Sequence, residues 1–157
     1  MKITNVTATV LRLPQISSAA DGTQDDLIIT VETDEGITGY GEVDTAPYVG
    51  KAVVDAYMSH GTCYGLREVV VGSDPFDYEQ IWNDMWAKTY YYGRSGPVMH
   101  VMSGIDMAIW DIMGKAVGKP VHKLLGGSYA DKVRAYASAL MPDTPDEVKK
   151  MTEKYVS

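Results

Sequence analysis

Disulfide chemistry is missing by count: Cys63 is the only cysteine among 157 residues, so no intrachain bridge can form. That usage fits a reducing compartment. Positive charge is in deficit, with 14 Lys and Arg against 21 Asp and Glu, a net charge of -7. Phosphate backbones would be repelled, which excludes nucleic acid as a partner. The N-terminus lacks the apolar run of a signal peptide, because Met1-Lys2-Ile3-Thr4-Asn5 is largely polar. No stretch reads as a membrane span either. The longest apolar region, Val98 to Val117, is interrupted by His100, Asp106 and Asp111. The expectation is a cytoplasmic protein with no membrane association. No internal repeat and no low-complexity tract is present.

Hydrophobic residues make up 45% of the chain, enough for a core, so a disordered chain is excluded. The length suits one domain, or a small domain plus the stub of a second. Asn5 to Val10 alternates, with Val6, Ala8 and Val10 apolar, as a strand with one buried face does. Pro14 ends it, and Gln15 to Asp26 has a loop composition without period. Leu27 to Thr33, the turn Asp34-Glu35-Gly36 and Ile37 to Val43 predict an antiparallel hairpin. The first 43 residues thus predict a three-stranded meander.

Beyond Pro47 the period lengthens towards 3.6. A first helix is expected over Tyr48 to Ser59. Asp74 and Pro75 start a second, which runs to Tyr91 with Ile81, Trp82, Met85 and Trp86 on one face. The strongest helix opens at Pro97, with Val98, Val101, Met102, Ile105, Ala108, Ile109, Ile112, Met113 and Ala116 at spacings of three and four. Asp111 and Lys115 form an outward i,i+4 pair, and Gly118 and Pro120 stop the helix. A short turn over Val121 to Leu125 leads to Gly126-Gly127. Val133 to Ser138 then reads as a strand. Thr144-Pro145-Asp146-Glu147 is a capping box that starts a helix over Val148 to Val156. That helix has a start signal and no stop signal, which reads as a truncated chain.

Few groups suggest chemistry by themselves. Gly39-Tyr40-Gly41 lacks the third glycine of a dinucleotide loop, Asp44 standing there, so close strand packing is the reading. His60, His100, His122 and Cys63 have no ligand spacing, which argues against a metal site. The pairs Asp25-Asp26 and Asp74/Asp77 read as solvated or capping carboxylates. Tyr90-Tyr91-Tyr92-Gly93-Arg94 could hold a carboxylate ligand or seal a helix end, and packing is preferred. No complete set of nucleophile, base and orienting group is found.

One long stretch carries more. Ser103-Gly104-Ile105-Asp106-Met107-Ala108-Ile109-Trp110-Asp111-Ile112-Met113-Gly114-Lys115 continues through Gly118-Lys119-Pro120-Val121 to Leu124-Leu125-Gly126-Gly127. It resembles the signature of the mandelate racemase/muconate lactonizing branch of the enolase superfamily. The opening is similar too, with Lys2-Ile3 and then Asp34-Glu35-Gly36-Ile37-Thr38-Gly39-Tyr40-Gly41-Glu42. Val101 departs from the family's usual alanine but stays apolar. The resemblance implies an α+β fold: a three-stranded antiparallel meander followed by a helical layer, the capping domain, over residues 1–127. The first strand and helix of a truncated (β/α) barrel would occupy 128–157. A whole barrel needs about 250 residues, so from Val133 onward there is room for one β/α unit only.

The family removes the proton beside a substrate carboxylate, with Mg²⁺ stabilising the enediolate and a Lys or His as base. By resemblance, ligands and base lie on later barrel strands. The implied cofactor is therefore Mg²⁺ in the full-length parent, with none bound by this chain, and no catalytic or metal-ligating residue is assigned here. Two loops, Pro14 to Asp26 and Thr45 to Val49, would fold over the barrel mouth and exclude water. Ile16, Ser17 and Tyr48 are the candidate substrate-lining residues, ordinary connecting positions being the alternative. Ser138, at the C-terminal end of the first barrel strand, is the candidate carboxylate binder. The implied partners are a small carboxylate substrate and further copies in a homo-oligomer.

Acid-sugar dehydration leads as the parent's activity, ahead of racemisation or cycloisomerisation. A free-standing binding or oligomerisation module is the rival of another class. The resemblance makes a prediction about the reading frame past Ser157. The helix should end within a few residues, and a strand should follow that carries Lys-x-Lys or a close variant. Residues i and i+2 of a strand point the same way, so one lysine could hold the carboxylate while the other takes the proton. Sequencing the continuing frame checks this, and a strand without any plausible base would remove the mechanism.

Overall fold

A computed structural model describes residues 1–18, 24–136, 142 and 144–156. The chain divides into two compact units, Met1–Gly127 and Ser128–Ser157.

The first unit opens with three antiparallel strands in the order β1-β2-β3: β1 (Ile3–Arg12), β2 (Asp25–Thr33) and β3 (Thr38–Val43). The meander expected from the alternation is present, but β1 and β2 run further than the polar/apolar pattern suggests. Pairing extends to Leu11↔Asp26 and Arg12↔Asp25, because a ladder can continue through exposed residues that bury nothing. Alternation fixes the buried face: Val6, Ala8, Leu27, Ile29, Val31 and Val43 all point into the core. The β2–β3 turn is closed by the Thr33 side chain, whose hydroxyl donates to the Ile37 carbonyl at 2.9 Å, while Gly36 takes φ of 76°.

The helical layer comprises α1 (Pro47–Asp55), α2 (Leu66–Val70), α3 (Tyr78–Lys88), α4 (Pro97–Ala116) and α5 (Val121–Leu124). The helix expected to reach Ser59 stops at Asp55. Ala56 turns to an extended conformation, and Met58 N–H donates instead to the Glu68 carboxylate at 2.8 Å. Helix α2 is one turn and a half, too short for a period to show, yet it buries Leu66 and Val70 fully. Asp74 caps as expected, accepting from Phe76 N–H at 3.0 Å, though a 3₁₀ turn over Pro75–Asp77 precedes α3. α3 ends at Lys88 rather than Tyr91. Thr89, buried, turns its hydroxyl back onto the Met85 carbonyl at 2.8 Å. On α3, Ile81 and Met85 are buried and Trp82 is half-buried, but Trp86 is exposed, so the expected apolar face is narrower by one residue. Helix α4 has the predicted start and buries every expected position except Ala116, which is exposed at its last position.

The contact between α4 and β3 sets the geometry of the unit. Built on the backbone, a Cβ at Gly41 would collide with the Gly104 carbonyl oxygen. One at Gly39 would collide with the Ala108 carbonyl oxygen and come within 2.7 Å of Ile112. Gly104 in turn faces Val43 with no room for a side chain. The two glycines of β3 therefore let the helix backbone lie directly on the strand, as the packing reading of Gly39-Tyr40-Gly41 anticipates.

Side chains cover both sheet edges. On β3, Tyr40 N–H donates to Asp111 Oδ2 at 3.0 Å and Lys115 Nζ donates to the Thr38 carbonyl at 2.7 Å. The Asp111–Lys115 pair, 2.6 Å apart, is thus more than a surface ion pair: it stands in for a missing strand. On β1, Arg67 Nε donates to the Val6 carbonyl at 2.7 Å and Lys51 Nζ to the Ala8 carbonyl at 3.0 Å, while Asp55 pairs with both cations.

The second unit carries α6 (Pro145–Val156). Its capping box forms as predicted, Thr144 N–H donating to Glu147 Oε2 at 3.1 Å and Glu147 N–H to Thr144 Oγ1 at 3.4 Å. The strand expected over 133–138 is not seen at Val133–Tyr136, which are exposed and unpaired in any ladder among the described residues. A strand exists only as a member of a ladder, and no neighbouring strand is described for it.

Gly41→Ala should destabilise the first unit by about 3 kcal/mol, at the upper end of overpacking penalties, because backbone rather than a movable side chain blocks the new methyl. Gly61→Ala, at a position open to solvent, should change stability by less than about 0.5 kcal/mol. Urea denaturation of both variants checks the contrast.

Candidate functional site

In a three-stranded meander, β1 and β3 run in the same direction. The β1–β2 connection and the β3–α1 connection therefore leave from one end of the sheet. These are the two loops expected to shape a substrate pocket. The first is pinned at its root. Leu13 N–H donates to the Gln24 carbonyl at 2.8 Å, and the Gln24 side-chain oxygen accepts from Ser17 N–H at 2.7 Å and Ser17 Oγ at 3.1 Å. The second leads into α1, where Pro47 presets the first turn and the Ala46 carbonyl accepts from Val49 and Gly50, each at 3.0 Å.

At this end of the sheet lies an open concavity of 440 Å³ lined by Leu11, Arg12, Leu13, Gln24, Asp25, Asp26 and Glu42. It places one guanidinium among three carboxylates. Asp26 is committed to the backbone, accepting from Leu27 N–H at 2.7 Å. Arg12 makes no ion pair among the described residues and faces solvent. A guanidinium in this position can take a carboxylate in a bidentate pair, and the flanking carboxylates can accept from hydroxyl groups.

Ile16, Ser17 and Tyr48, the expected lining residues that the structure describes, are not among those that line this concavity. Ile16 is 40% exposed in the first loop and Ser17 is held by Gln24. Tyr48 is 63% exposed on the first turn of α1 and is not brought into ring or hydrogen-bond contact with either. Ser138 lies outside the described residues. Arg12, Gln24 and Glu42 were not foreseen. The signal for Arg12 and Glu42 was available in the meander: both are strand-end residues at the end shared by the two loops. Gln24 could not be found this way, since its role depends on where the loop returns.

The tyrosine run stays largely at the surface, with Tyr90, Tyr91 and Tyr92 54%, 75% and 38% exposed, and its rings meet neighbouring groups there. The Tyr92 hydroxyl bonds to the Tyr64 carbonyl, and His60 meets Tyr91 edge-on with ring centroids 5.0 Å apart. The Arg94 guanidinium lies 3.6 Å from the Tyr90 centroid. Burial, with the nearby Cys63, pushes the Tyr92 phenol above its usual value. Among the described residues no group of three or more His, Cys, Asp or Glu side chains could hold a metal ion. No helix among them is long and apolar enough to cross a membrane.

The strands, helices and loop placement define the α+β capping domain of the enolase type. The sequence profile of the mandelate racemase / muconate lactonizing enzyme N-terminal domain matches residues 2–126. The chain belongs to the mandelate racemase / muconate lactonizing enzyme family of the enolase superfamily. It is 41% identical over 134 residues to a D-galactonate dehydratase of Pectobacterium atrosepticum, which covers 81% of this chain and 32% of the relative. An L-rhamnonate dehydratase of Saccharopolyspora erythraea is 36% identical over 122 residues, 78% of this chain and 29% of the relative. The crystal structure of a predicted mandelate racemase from Rhodobacter sphaeroides superposes with a TM-score of 0.84 at 32% identity, covering 99% of this chain and 39% of that one. The chain thus spans about a third of the length of the curated relatives it matches.

Gln24→Ala should leave global stability within about 1 kcal/mol but speed proteolytic cleavage between Pro14 and Gln24, which limited proteolysis checks. Asp106, half-buried on α4, has its carboxyl pushed above the ordinary range by burial and then by Glu79. A raised folded-state value means that the folded protein binds this proton more tightly than the unfolded chain. Asp106 ionisation therefore opposes folding above that value, and the opposition fades as pH falls through it towards the ordinary carboxylate range. Asp106→Asn should be at least as stable as the parent at neutral pH, its advantage shrinking on acidification. Urea unfolding across that pH range checks both the sign and the trend.

Proposed function

We propose that this chain is the specificity-shaping capping domain of an acid-sugar dehydratase. The similarity to proteins named D-galactonate and L-rhamnonate dehydratases carries the reading. The concavity beside the two loops supports it, since Arg12 offers a partner for an aldonate carboxylate, and Glu42 and Asp25 offer acceptors for hydroxyl groups. Ile16, Ser17 and Tyr48 are then the loop residues that close over the polyhydroxy chain. Ser138 is proposed as a further carboxylate contact.

In such a dehydration the C2 proton beside the carboxylate is removed and the C3 hydroxyl leaves as water, yielding a 2-keto-3-deoxy acid after tautomerisation. The superfamily's chemistry uses Mg²⁺ to stabilise the enediolate. The described residues of this chain do not fit a metal site, so no step is routed through a metal held here. The part of the chain is to orient the carboxylate through Arg12 and to keep water from the reacting carbons, which strengthens every polar contact inside the closed site.

The test uses a protein that joins this chain to a complete barrel in its own reading frame. Incubated with D-galactonate or L-rhamnonate and Mg²⁺, it should release a 2-keto-3-deoxy acid. Arg12→Gln should raise KM by about tenfold, the worth of one charge-assisted hydrogen bond, with a smaller effect on kcat. Racemisation or cycloisomerisation without dehydration of any aldonate would overturn the proposal. The 157-residue chain alone is expected to give no turnover of either acid, and Mg²⁺-dependent turnover by it would contradict the assignment of a capping role.

A further inference from the structure

A second concavity, of 340 Å³, lies between α3 and α4, lined by Tyr78, Glu79, Trp82, Asp106 and Trp110. The three aromatic side chains are half-buried, packed against the core on their inner sides. The Tyr78 and Trp110 rings lie 4.9 Å apart and tilted by 47°. Among the described residues neither Asp106 nor Glu79 forms an ion pair, and neither carboxylate accepts a hydrogen bond. Glu79 has a local reason to be where it is, in the first turn of α3. Asp106 has none. It sits at the centre of α4, where aspartate is a poor helix former, and its charge is half removed from water.

We propose that this concavity is a docking site for an arginine side chain of a partner protein, its guanidinium held between Asp106 and Glu79 and flanked by the indoles of Trp82 and Trp110. Charge decides the sign of the occupant: two unpaired carboxylates exclude an anion and would be left desolvated under an apolar group. Ring chemistry decides its shape. A guanidinium is planar, weakly hydrated and able both to pair with carboxylates and to lie against aromatic faces, whereas an ammonium is a compact, strongly hydrated charge. The arginine stem would cover the exposed sides of the rings. This inference stands apart from the proposed dehydration, which concerns the loop end of the sheet.

The test follows the three indole N–H signals of the 157-residue chain by NMR. Trp86 is exposed on α3 and does not line the concavity, so it serves as the internal control. Titration with N-acetyl-arginine methylamide should shift Trp82 and Trp110 saturably and leave Trp86 in place. The lysine and citrulline analogues should bind more weakly, and so should guanidinium chloride at matched ionic strength, which lacks the stem. Asp106→Asn should weaken the arginine probe about tenfold. Glu79→Gln, at the mouth, should weaken it in the same direction and serves if the first variant does not fold. Absence of saturable shifts, equal binding of the lysine or citrulline analogue or of guanidinium, or wild-type affinity in a folded variant would each overturn the proposal.

Discussion

The close approach of helix α4 to strand β3 is the constraint on which the capping domain depends. Carbonyl oxygens of Gly104 and Ala108 occupy the space where side chains at Gly41 and Gly39 would stand. With the helix backbone resting on the strand, Val101, Met102, Ile105, Ile109 and Ile112 are buried in one core with the apolar face of the sheet, and Val101 lies with Leu27 beside Gly50 of α1. The same proximity brings Asp111 and Lys115 within hydrogen-bonding distance of the β3 edge. A wider separation would lose packing and edge protection together, since both require helix and strand at one distance.

This arrangement separates scaffold from site. The core lies between the sheet and the helices, while the two connections at one sheet end, around Arg12 and Tyr48, bury little and are free to differ in sequence without disturbing the core. That division leaves the loops free to vary while their roots stay fixed. The Leu13–Gln24 and Ser17–Gln24 hydrogen bonds fix the root of the first loop. Between α3 and α4, Asp106 and Glu79 form a polar feature among aromatic residues, apart from the loop end of the sheet.

Much of the fold was legible because it rests on short-range periodicity. Alternation at Val6, Ala8 and Val10, and spacings of three and four through Val98 to Met113, report which face each element buries. Capping groups are equally local, as Asp74 and the Thr144–Glu147 box demonstrate. Helix α2 escaped notice because five residues cannot display a period. The overlong reading of α1 had another cause: the helix stops where Glu68, distant in sequence, offers Met58 N–H a better partner. Trp86 was misplaced because a helical face read from sequence has no defined width until its neighbour is known.

By itself the sequence determined the class of fold, the order of the elements, the long buried helix and the family, since these follow from pattern and from a signature of fixed spacing. Tertiary structure alone decided that Asp111 and Lys115 guard a strand edge, that Arg12 and Glu42 share a concavity with Gln24, and that Asp106 and Glu79 share another with Tyr78, Trp82 and Trp110. The physical reason is range. Periodicity and capping act within a few residues of one another, whereas each of these groupings joins residues from different elements, whose separation is set only when the backbone of α4 settles onto β3 and the helices pack around it.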